Sequence, residues 1–336
     1  MTTTVIDVKT HRIIATVPAG DISTLFKQSI FTPDGKLAYV TNNTLGSVDV
    51  IDVKTHSVIA TVSVENPIDI AFSPDEKLAY VTNNATFGSV SVIDVKTHKV
   101  ITTIQIVASP TIVTFTPDGK LAYVASREDG TVFVIDAKTH SVIATVSVDD
   151  PFDISFTPDG KLAYVTNVNP SSVSVIDVKT HNVIATVSVG GTPAIIAFTS
   201  VEKLAYVTCN PGDVAVIDVK THNIIATVSV DGNPRFVAFT PDEKLAYVTN
   251  STTPGSVSVI DVKTHCVIST VLVGNTPLDI AFTPDGKLAY VTNNTTPGSV
   301  SVIDVKTHCV VATVQIVAGP DFVAFTPDGK LAYVVD

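Results

Sequence analysis

The chain has 336 residues and a formal net charge of −11 at pH 7, with 45% hydrophobic and 16% charged residues. This composition supplies enough apolar surface for a large core and excludes a disordered chain. The acidic balance, with arginine only at Arg12, Arg127 and Arg235, excludes nucleic acid as the main partner. No apolar run reaches the roughly 18 residues that a membrane-spanning helix needs, so we expect no membrane insertion.

The predicted elements follow one another as short β-strands. The first runs from Val5 to Val8, and after a Lys-Thr-His turn a second one ends near Val17. The pattern then returns every 41 to 45 residues, until the chain ends on a strand from Lys330 to Val334. Lys-Leu-Ala-Tyr-Val begins at Lys36, Lys77, Lys120, Lys161, Lys203, Lys244, Lys287 and Lys330. Lys-Thr-His ends at His11, His56, His98, His140, His181, His222, His265 and His308.

The copy from Thr276 onward shows the unit that repeats. Its first predicted strand ends near Phe282, and Thr-Pro-Asp-Gly follows as a turn in which Pro presets φ, Asp caps and Gly takes the left-handed conformation. Three more strands are predicted from Lys287 to Thr292, from Ser299 to Val305 and from Cys309 to Val314. Groups of four short strands at this period predict the blades of a β-propeller.

The register of the two chain ends sets the number of blades. The chain opens on a third strand and closes on a second strand, with seven whole units between them. We therefore predict an all-β fold, a single closed eight-bladed β-propeller in one domain of residues 1–336. Its closing blade is formed by about 1–17 and 319–336, because pairing of the two ends removes exposed sheet edges.

A four-residue motif inside the second strand identifies a family resemblance. Tyr-Val-Thr-Asn occurs at Tyr39–Asn42, Tyr80–Asn83, Tyr164–Asn167, Tyr247–Asn250 and Tyr290–Asn293. In this motif the chain resembles the YVTN family of β-propeller repeats, found in surface-layer-type proteins. The resemblance implies a propeller and a cell-surface location. The N-terminus shows no secretory signal, so a cytoplasmic location is the expectation from the residues themselves.

The repeated histidines and aspartates are predicted to be structural. The Lys-Thr-His turns lie roughly 15 Å apart in a propeller, given strands spaced by about 4.8 Å, so the histidines are too far apart to share a metal ion. His is among the residues enriched at positive φ, which explains its place in the turn. The Asp of Val-Ile-Asp, as in Asp304, is expected to accept backbone N–H groups of the same turn.

The positions where the copies differ mark the candidate site. They fall at the start of each first strand, around one mouth of the central channel, with the loops after the second strand. The charged residues there are Lys27, Asp69, Asp153, Arg235, Asp279 and Asp321, with Arg127 from a loop. One interpretation is a site for a small cationic or zwitterionic ligand, or for a metal on its acidic side. The other is that each charge caps a neighbouring loop or is solvated.

The sequence disfavours catalysis. Every His and every Tyr occupies a repeated position, so no unique acid or base of these types remains. Cys209 has no His nearby in sequence and is expected to be an inert thiol, while Cys266 and Cys309 share one repeat position and should not bridge.

We therefore expect a monomeric binding or structural scaffold of surface-layer type, with no cofactor and with an unidentified protein or small ligand as partner. Two alternatives remain open. The chain could be a hydrolase or lactonase-like propeller enzyme, or an engineered or recently amplified repeat protein without an evolved ligand.

Overall fold

The computed structural model describes residues 2–19, 31–32, 34–85, 87–106, 109–201 and 203–336. These residues form strands and turns, and none of them lies in a helix. The described part of the chain accordingly holds no helix that is long and apolar enough to cross a membrane. Two units are distinguished by their internal contacts, unit 1 (Met1–Pro18 with Val189–Asp336) and unit 2 (Ala19–Ser188).

The strands have the order and the lengths that the repeat predicts. The N-terminal pair is β1 (Thr3–Asp7) and β2 (Arg12–Val17). Unit 2 continues with β3 (Leu37–Asn42), β4 (Ser47–Asp52), β5 (Ser57–Ser63), β6 (Pro67–Phe72), β7 (Leu78–Asn83), β8 (Ser89–Asp94), β9 (Lys99–Gln105), β10 (Pro110–Phe115), β11 (Leu121–Ser126), β12 (Thr131–Asp136), β13 (Ser141–Ser147), β14 (Pro151–Phe156), β15 (Leu162–Asn167), β16 (Ser172–Asp177) and β17 (Asn182–Ser188).

The remaining strands belong to unit 1 and complete the repeat. They are β18 (Thr192–Phe198), β19 (Leu204–Asn210), β20 (Asp213–Asp218), β21 (Asn223–Ser229), β22 (Pro234–Phe239), β23 (Leu245–Asn250), β24 (Ser256–Asp261), β25 (Cys266–Leu272), β26 (Pro277–Phe282), β27 (Leu288–Asn293), β28 (Gly298–Asp304), β29 (Cys309–Ile316), β30 (Phe322–Phe325) and β31 (Leu331–Val335).

Unit 2 contains four antiparallel sheets, which we call blades 1 to 4. Blades 2, 3 and 4 are β6–β9, β10–β13 and β14–β17, and blade 1 shows β3–β5 in its described residues. The first strands of successive blades contact one another, as β6 contacts β10 and β10 contacts β14. The first strand is therefore the inner strand of a blade, and the fourth strand is its outer, exposed edge, as in the pattern eeeieBe of β5.

Unit 1 contains blades 5, 6 and 7 (β18–β21, β22–β25 and β26–β29) and the closing blade 8. Blade 8 has the strand order β2-β1-β31-β30, so the two chain ends share one sheet. Val5 pairs with Tyr333 on one side and with Ala15 on the other. Thr2 adds a clasp, since its N–H and its hydroxyl both donate to the carboxylate of Asp336. The predicted pairing of the ends is confirmed.

Successive blades are held together by the tyrosine of each second strand. Tyr206 is fully buried and meets Phe239 of the next blade edge-on at 5.1 Å between ring centroids. Tyr80 and Phe115 repeat this contact in unit 2 at 4.8 Å. Edge-to-face aromatic pairs add about 0.5–1.5 kcal/mol to the burial of the rings. The eight sheets and this packing are those of an eight-bladed β-propeller.

The Thr-Pro-Asp-Gly turns are closed as the sequence predicts. In blade 3 the hydroxyl of Thr116 and the N–H of Lys120 both donate to Oδ1 of Asp118, and the Lys120 ammonium lies 2.8 Å from Oδ2. These bonds lower the pKa of Asp118 to about 2. Gly119 has a φ of +69°, and a Cβ there would lie 3.0 Å from Pro74 of the preceding blade, so this position favours glycine.

One departure from this turn is repaired by a neighbouring blade. Blade 5 has Ser200 and Val201 where other copies have Pro and Asp. Glu243, from the turn of blade 6, accepts hydrogen bonds from both N–H groups, at 2.9 and 3.1 Å, and from the Ser200 hydroxyl at 2.5 Å. A carboxylate from the next blade thus does the work of the missing Asp.

We expect Val5→Pro to lower the thermal midpoint of unfolding by several degrees. Proline removes an N–H in the middle of a strand that is paired on both sides, and it is tolerated in sheets essentially only at edges and bulges. Val5→Ile keeps this N–H and is the control. Equal midpoints for the two variants, measured by circular dichroism, would show that blade 8 does not depend on β1.

We expect Glu243→Gln to reduce the free energy of unfolding by about 1 kcal/mol, because three charge-assisted hydrogen bonds become neutral ones. Glu76→Gln is the matched control, since Glu76 has the same turn position and a similar positive φ in blade 2. Its side chain makes no hydrogen bond among the described residues. Denaturant unfolding of both variants checks this, and an equal loss in both would contradict a specific repair by Glu243.

Candidate functional site

The histidines of the third turn serve the interfaces between blades. All eight have positive φ, from 52° to 56°, which confirms the structural interpretation of the turn. Six Nδ1 atoms lie 2.6 to 3.0 Å from a tyrosine hydroxyl of the preceding blade. These pairs are His98 with Tyr39, His140 with Tyr80, His181 with Tyr123, His265 with Tyr206, His308 with Tyr247 and His11 with Tyr290. These six histidine rings therefore connect their own turn to the preceding blade.

The aspartate of each Val-Ile-Asp element is also structural. In blade 2 the N–H and the hydroxyl of Thr97 donate to Oδ1 of Asp94 at 2.7 and 2.6 Å, and these bonds lower the pKa of Asp94. The same two bonds recur in the other described blades, for example from Thr307 to Asp304. In the part of the chain that the structure describes, no group of three or more His, Cys, Asp or Glu side chains could hold a metal ion.

Three of the predicted site aspartates lie inside the protein. Asp69 and Asp153 are fully buried and Asp279 is 4% exposed. Oδ2 of Asp69 accepts the N–H of Val113 at 2.9 Å, and Oδ2 of Asp279 accepts the N–H of Val323 at 2.9 Å. Each of these two bonds joins the inner strand of one blade to the inner strand of the next. For Asp69 and Asp279 the capping interpretation therefore describes the observed contacts.

Burial gives Asp69 an unusual protonation equilibrium. Loss of hydration raises the pKa of Asp69 well above its ordinary range, and the negative charge of Asp153 raises it further. The backbone N–H groups of Val113 and Ile70 act in the opposite direction and are outweighed. Oδ1 of Asp69 is buried without a hydrogen-bond partner among the described residues, which is the physical reason that the charged form is disfavoured.

The variable positions coincide with irregular pairing at the start of six inner strands, those of blades 2 to 7. In β22 the register shifts between Pro234 and Val237, and in β26 it shifts between Pro277 and Ile280. Such bulges re-aim side chains and are common next to binding sites. The strand starts are held from the preceding blade, because the hydroxyls of Thr208 and Thr249 donate to the backbone carbonyls of these bulges.

The starts of three inner strands of unit 1 present a distinct group of side chains. We call this group the Arg235 site, and it consists of Arg235, Phe236, Leu278, Asp321 and Phe322. All five are partly exposed, and they lie at equivalent starts of β22, β26 and β30, which are in contact in that order. Asp321 accepts a hydrogen bond from the Asn294 side chain.

Arg235 is the member of this group without an anionic partner. Among the described residues, no carboxylate forms an ion pair with its guanidinium, and burial lowers the pKa of Arg235. Arginine stays charged in proteins, so a half-buried cation remains at the start of β22. In the sequence, Arg235 is grouped with the acidic residues, and no local pattern signals that its half-buried guanidinium has no anionic partner among the described residues.

The other predicted site residues lie elsewhere or outside the described chain. Lys27 falls outside the described residues. Arg127, in unit 2, forms an ion pair with Asp150 at 2.6 Å and lies 5.9 Å from the ring centroid of Phe152. Cys209 is buried, and desolvation raises the pKa of its thiol to about 12, so the expectation of an inert thiol is confirmed.

Comparisons with known proteins give one family match and similar solved structures. The sequence profile of the Cytochrome D1 heme domain family matches residues 84–195, less than half of the chain. No curated protein sequence matches the chain. The dihydro-heme d1 dehydrogenase NirN in complex with DHE is 19% identical, with a TM-score of 0.81 over 94% of this chain and 73% of that chain. Kuenenia stuttgartiensis hydrazine synthase is 22% identical, with a TM-score of 0.61 over 94% and 96%. At these identities the structures show the propeller fold alone.

These findings correct two expectations from the sequence. The matched family is a heme domain, so the interpretation as a surface-layer scaffold is wrong. The unidentified protein or small ligand expected as partner is corrected as well, since a heme is the ligand named in the family description and in the NirN description. The physical reason is that Tyr-Val-Thr-Asn provides packing and hydrogen bonds between blades, so the motif predicts a propeller and not a use.

The residues present fit one part of a heme and not another. A heme bound through iron takes an axial ligand such as His, Cys thiolate, Met or Tyr. None of these types occurs in the Arg235 site, and the turn of His265 lies at the opposite end of the strands of blade 6, about 20 Å away for six residues of strand. The Arg235 site does contain a cation and two phenyl rings, which suit the carboxylates and the flat faces of a macrocycle.

We expect Asp69→Asn to stabilise the protein as the pH rises. A folded pKa above the unfolded value gives a contribution that is fully present below the unfolded pKa of about 4 and is lost as pH rises through the folded pKa. The neutral amide removes this loss, so the variant should gain in midpoint over the wild type between pH 5 and 9.

Asp75→Asn is the control with the opposite sign, because hydrogen bonds lower the pKa of Asp75 to about 2. Its contribution is present above pH 4 and is lost in acid, so this variant should show no gain at alkaline pH. The measurement is the thermal midpoint of each variant at pH values from 4 to 9. A difference in midpoint between Asp69→Asn and the wild type that does not change with pH would contradict a buried neutral carboxyl at Asp69.

Proposed function

We propose that this chain binds a carboxylate-bearing planar macrocycle of the tetrapyrrole class, and that the Arg235 site holds it. The match to the Cytochrome D1 heme domain family and the likeness to a heme d1 enzyme support the ligand class. The location is supported by analogy with β-barrels, in which ligand pockets are found preferentially at the mouth.

The observation that carries the proposal is the half-buried guanidinium of Arg235, which forms no ion pair among the described residues. A buried cation without a partner costs free energy, and a planar, bidentate donor recognises carboxylates in particular. The chain has only three arginines, and Arg127 already forms an ion pair with Asp150. A ligand carboxylate on Arg235 would complete its hydrogen bonds and neutralise its charge.

The flat face of the ligand is matched by the apolar members of the site. Phe236 follows Arg235 in the same bulge, while Leu278 and Phe322 begin the next two inner strands. Phenyl rings stack on extended π systems with a gain of about 0.5–1.5 kcal/mol beyond area burial. A cation beside such an apolar surface suits an amphiphilic planar acid better than a cationic ligand.

The remaining predicted site residues have smaller parts in this proposal. Asp321 lies at the edge of the site and would repel a ligand carboxylate, which orients the acid groups toward Arg235. The carboxylates of Asp69 and Asp279 stay with the backbone of the neighbouring blades. We also propose, as the finer form of the sequence resemblance, that the repeat unit is of the YVTN type, because its Tyr, Thr and Asn serve blade packing and leave ligand binding to variable positions.

The test is a titration of the protein with metal-free protoporphyrin IX, a planar tetrapyrrole dicarboxylate, followed by the shift of its absorption band. Arg235→Ala should weaken binding at least tenfold, because one charge-assisted contact of about 1.5–3 kcal/mol is lost. Arg235→Lys keeps the charge without the planar fork and should lie in between.

The matched control is Arg12→Ala, an exposed arginine of the outer strand β2 in the same unit. It should bind as the wild type does. No binding by the wild type, or equal weakening by Arg12→Ala and Arg235→Ala, would show that the Arg235 site is not a tetrapyrrole site.

A further inference from the structure

We infer that the Arg235 site recognises the macrocycle and its carboxylates and makes no bond to a central metal, so that metal-free and iron-loaded tetrapyrroles bind alike. This inference rests on the proposed function. It departs from the expectation attached to a heme domain, in which a side chain of the protein holds the iron. Its basis is the position of every side chain in the sequence that is able to ligate iron in that way.

The histidines have a structural role, and those of unit 1 lie at the opposite end of the strands from the site. The sequence has eight, and all occupy the left-handed position of the turn between the third and fourth strands. In unit 1, Nδ1 of His265 lies 2.9 Å from the hydroxyl of Tyr206, and Nδ1 of His308 lies 2.8 Å from the hydroxyl of Tyr247. Both tyrosines belong to the preceding blade. Moving one of these rings to the start of an inner strand would break both a turn and a blade interface.

The tyrosines are equally committed, since all eight occupy the Leu-Ala-Tyr-Val element and are fully buried. Burial raises the pKa of Tyr247 and Tyr290, so neither is disposed to supply the phenolate that iron binds. Their hydroxyls are already bonded to His308 and His11. No tyrosine belongs to the Arg235 site.

The cysteine ligands are excluded by position and by protonation. Cys209 is buried, and the raised pKa of its thiol, about 12, keeps it protonated at neutral pH. Cys266 and Cys309 are exposed at the first residues of β25 and β29, the outer strands. The one methionine of the sequence is Met1.

The carboxylates near the site already accept hydrogen bonds from the protein. Asp279 lies in the bulge of β26 but is buried and bonded to the N–H of Val323. Asp321 accepts a hydrogen bond from Asn294. What the Arg235 site offers a ligand is therefore one cation and an apolar surface, and both address the periphery of a macrocycle. Selection by the periphery predicts indifference to what the centre contains.

The experiment compares metal-free protoporphyrin IX with its Fe(III) form on the wild type, Arg235→Ala and His265→Asn. The two ligands should bind the wild type with dissociation constants within threefold of each other, and Arg235→Ala should weaken both at least tenfold. His265→Asn keeps a residue that tolerates positive φ, so it should fold, and it should bind both ligands as the wild type does. The Fe(III) form should show no low-spin spectrum of the kind that a histidine ligand produces.

Iron-loaded ligand binding at least tenfold tighter than the metal-free form, or a low-spin spectrum abolished by a histidine substitution, would overturn the inference while leaving the proposed tetrapyrrole function in place. Binding of neither ligand would overturn both. If the two ligands bound equally well and Arg235→Ala weakened neither, binding would be independent of the metal but would not take place at the Arg235 site. This result also overturns the inference as stated.

Discussion

The structure depends on one contact, the tyrosine that a blade inserts against the next blade of the same unit. A four-stranded blade is apolar on both faces and has no core of its own, so its stability comes from its neighbours. Tyr206 illustrates the joint, with Phe239 edge-on at 5.1 Å and the ring of His265 2.9 Å from its hydroxyl. Ring packing, a buried hydrogen bond and a turn conformation are thereby coupled at one point, and the coupling is repeated around the fold.

The use of these side chains for packing limits where in the molecule chemistry can occur. The side chains that usually act as bases, nucleophiles and metal ligands are occupied by the repeat, and even two candidate site carboxylates, Asp69 and Asp279, bond the backbone of the next blade. The positions left free are those at which the inner strands bulge, since a bulged residue is released from the alternation between faces. Arg235 lies at such a position, and its charge has no anionic partner among the described residues. A side chain there can contact a ligand without giving up a contact that the fold requires.

Much of the fold was predictable because the repeat is local. The strand order, the Thr-Pro-Asp-Gly turns and the pairing of the chain ends followed from patterns within about 45 residues, and observed strand limits differ from the predicted ones by one or two residues, as for β26 (Pro277–Phe282). The tyrosine–histidine bonds were not predicted, because the partners belong to different blades and are 58 to 61 residues apart in five pairs and 279 apart in the sixth. The exposure of Asp69 was misjudged for a related reason, since the bulge changes which face a residue occupies.

The sequence by itself determined the all-β class, the number of blades, the closure of blade 8 and the structural use of the repeated His and Asp, because these depend on periodicity and on local turn chemistry. Only the tertiary structure decided that Asp69 and Asp279 are buried, that Arg127 is paired and that Arg235 has no ion pair among the described residues. Burial and charge compensation are properties of side chains brought together from different blades. A chain of near-identical copies presents the same local pattern at each of them, so only packing between the blades distinguishes one copy from another.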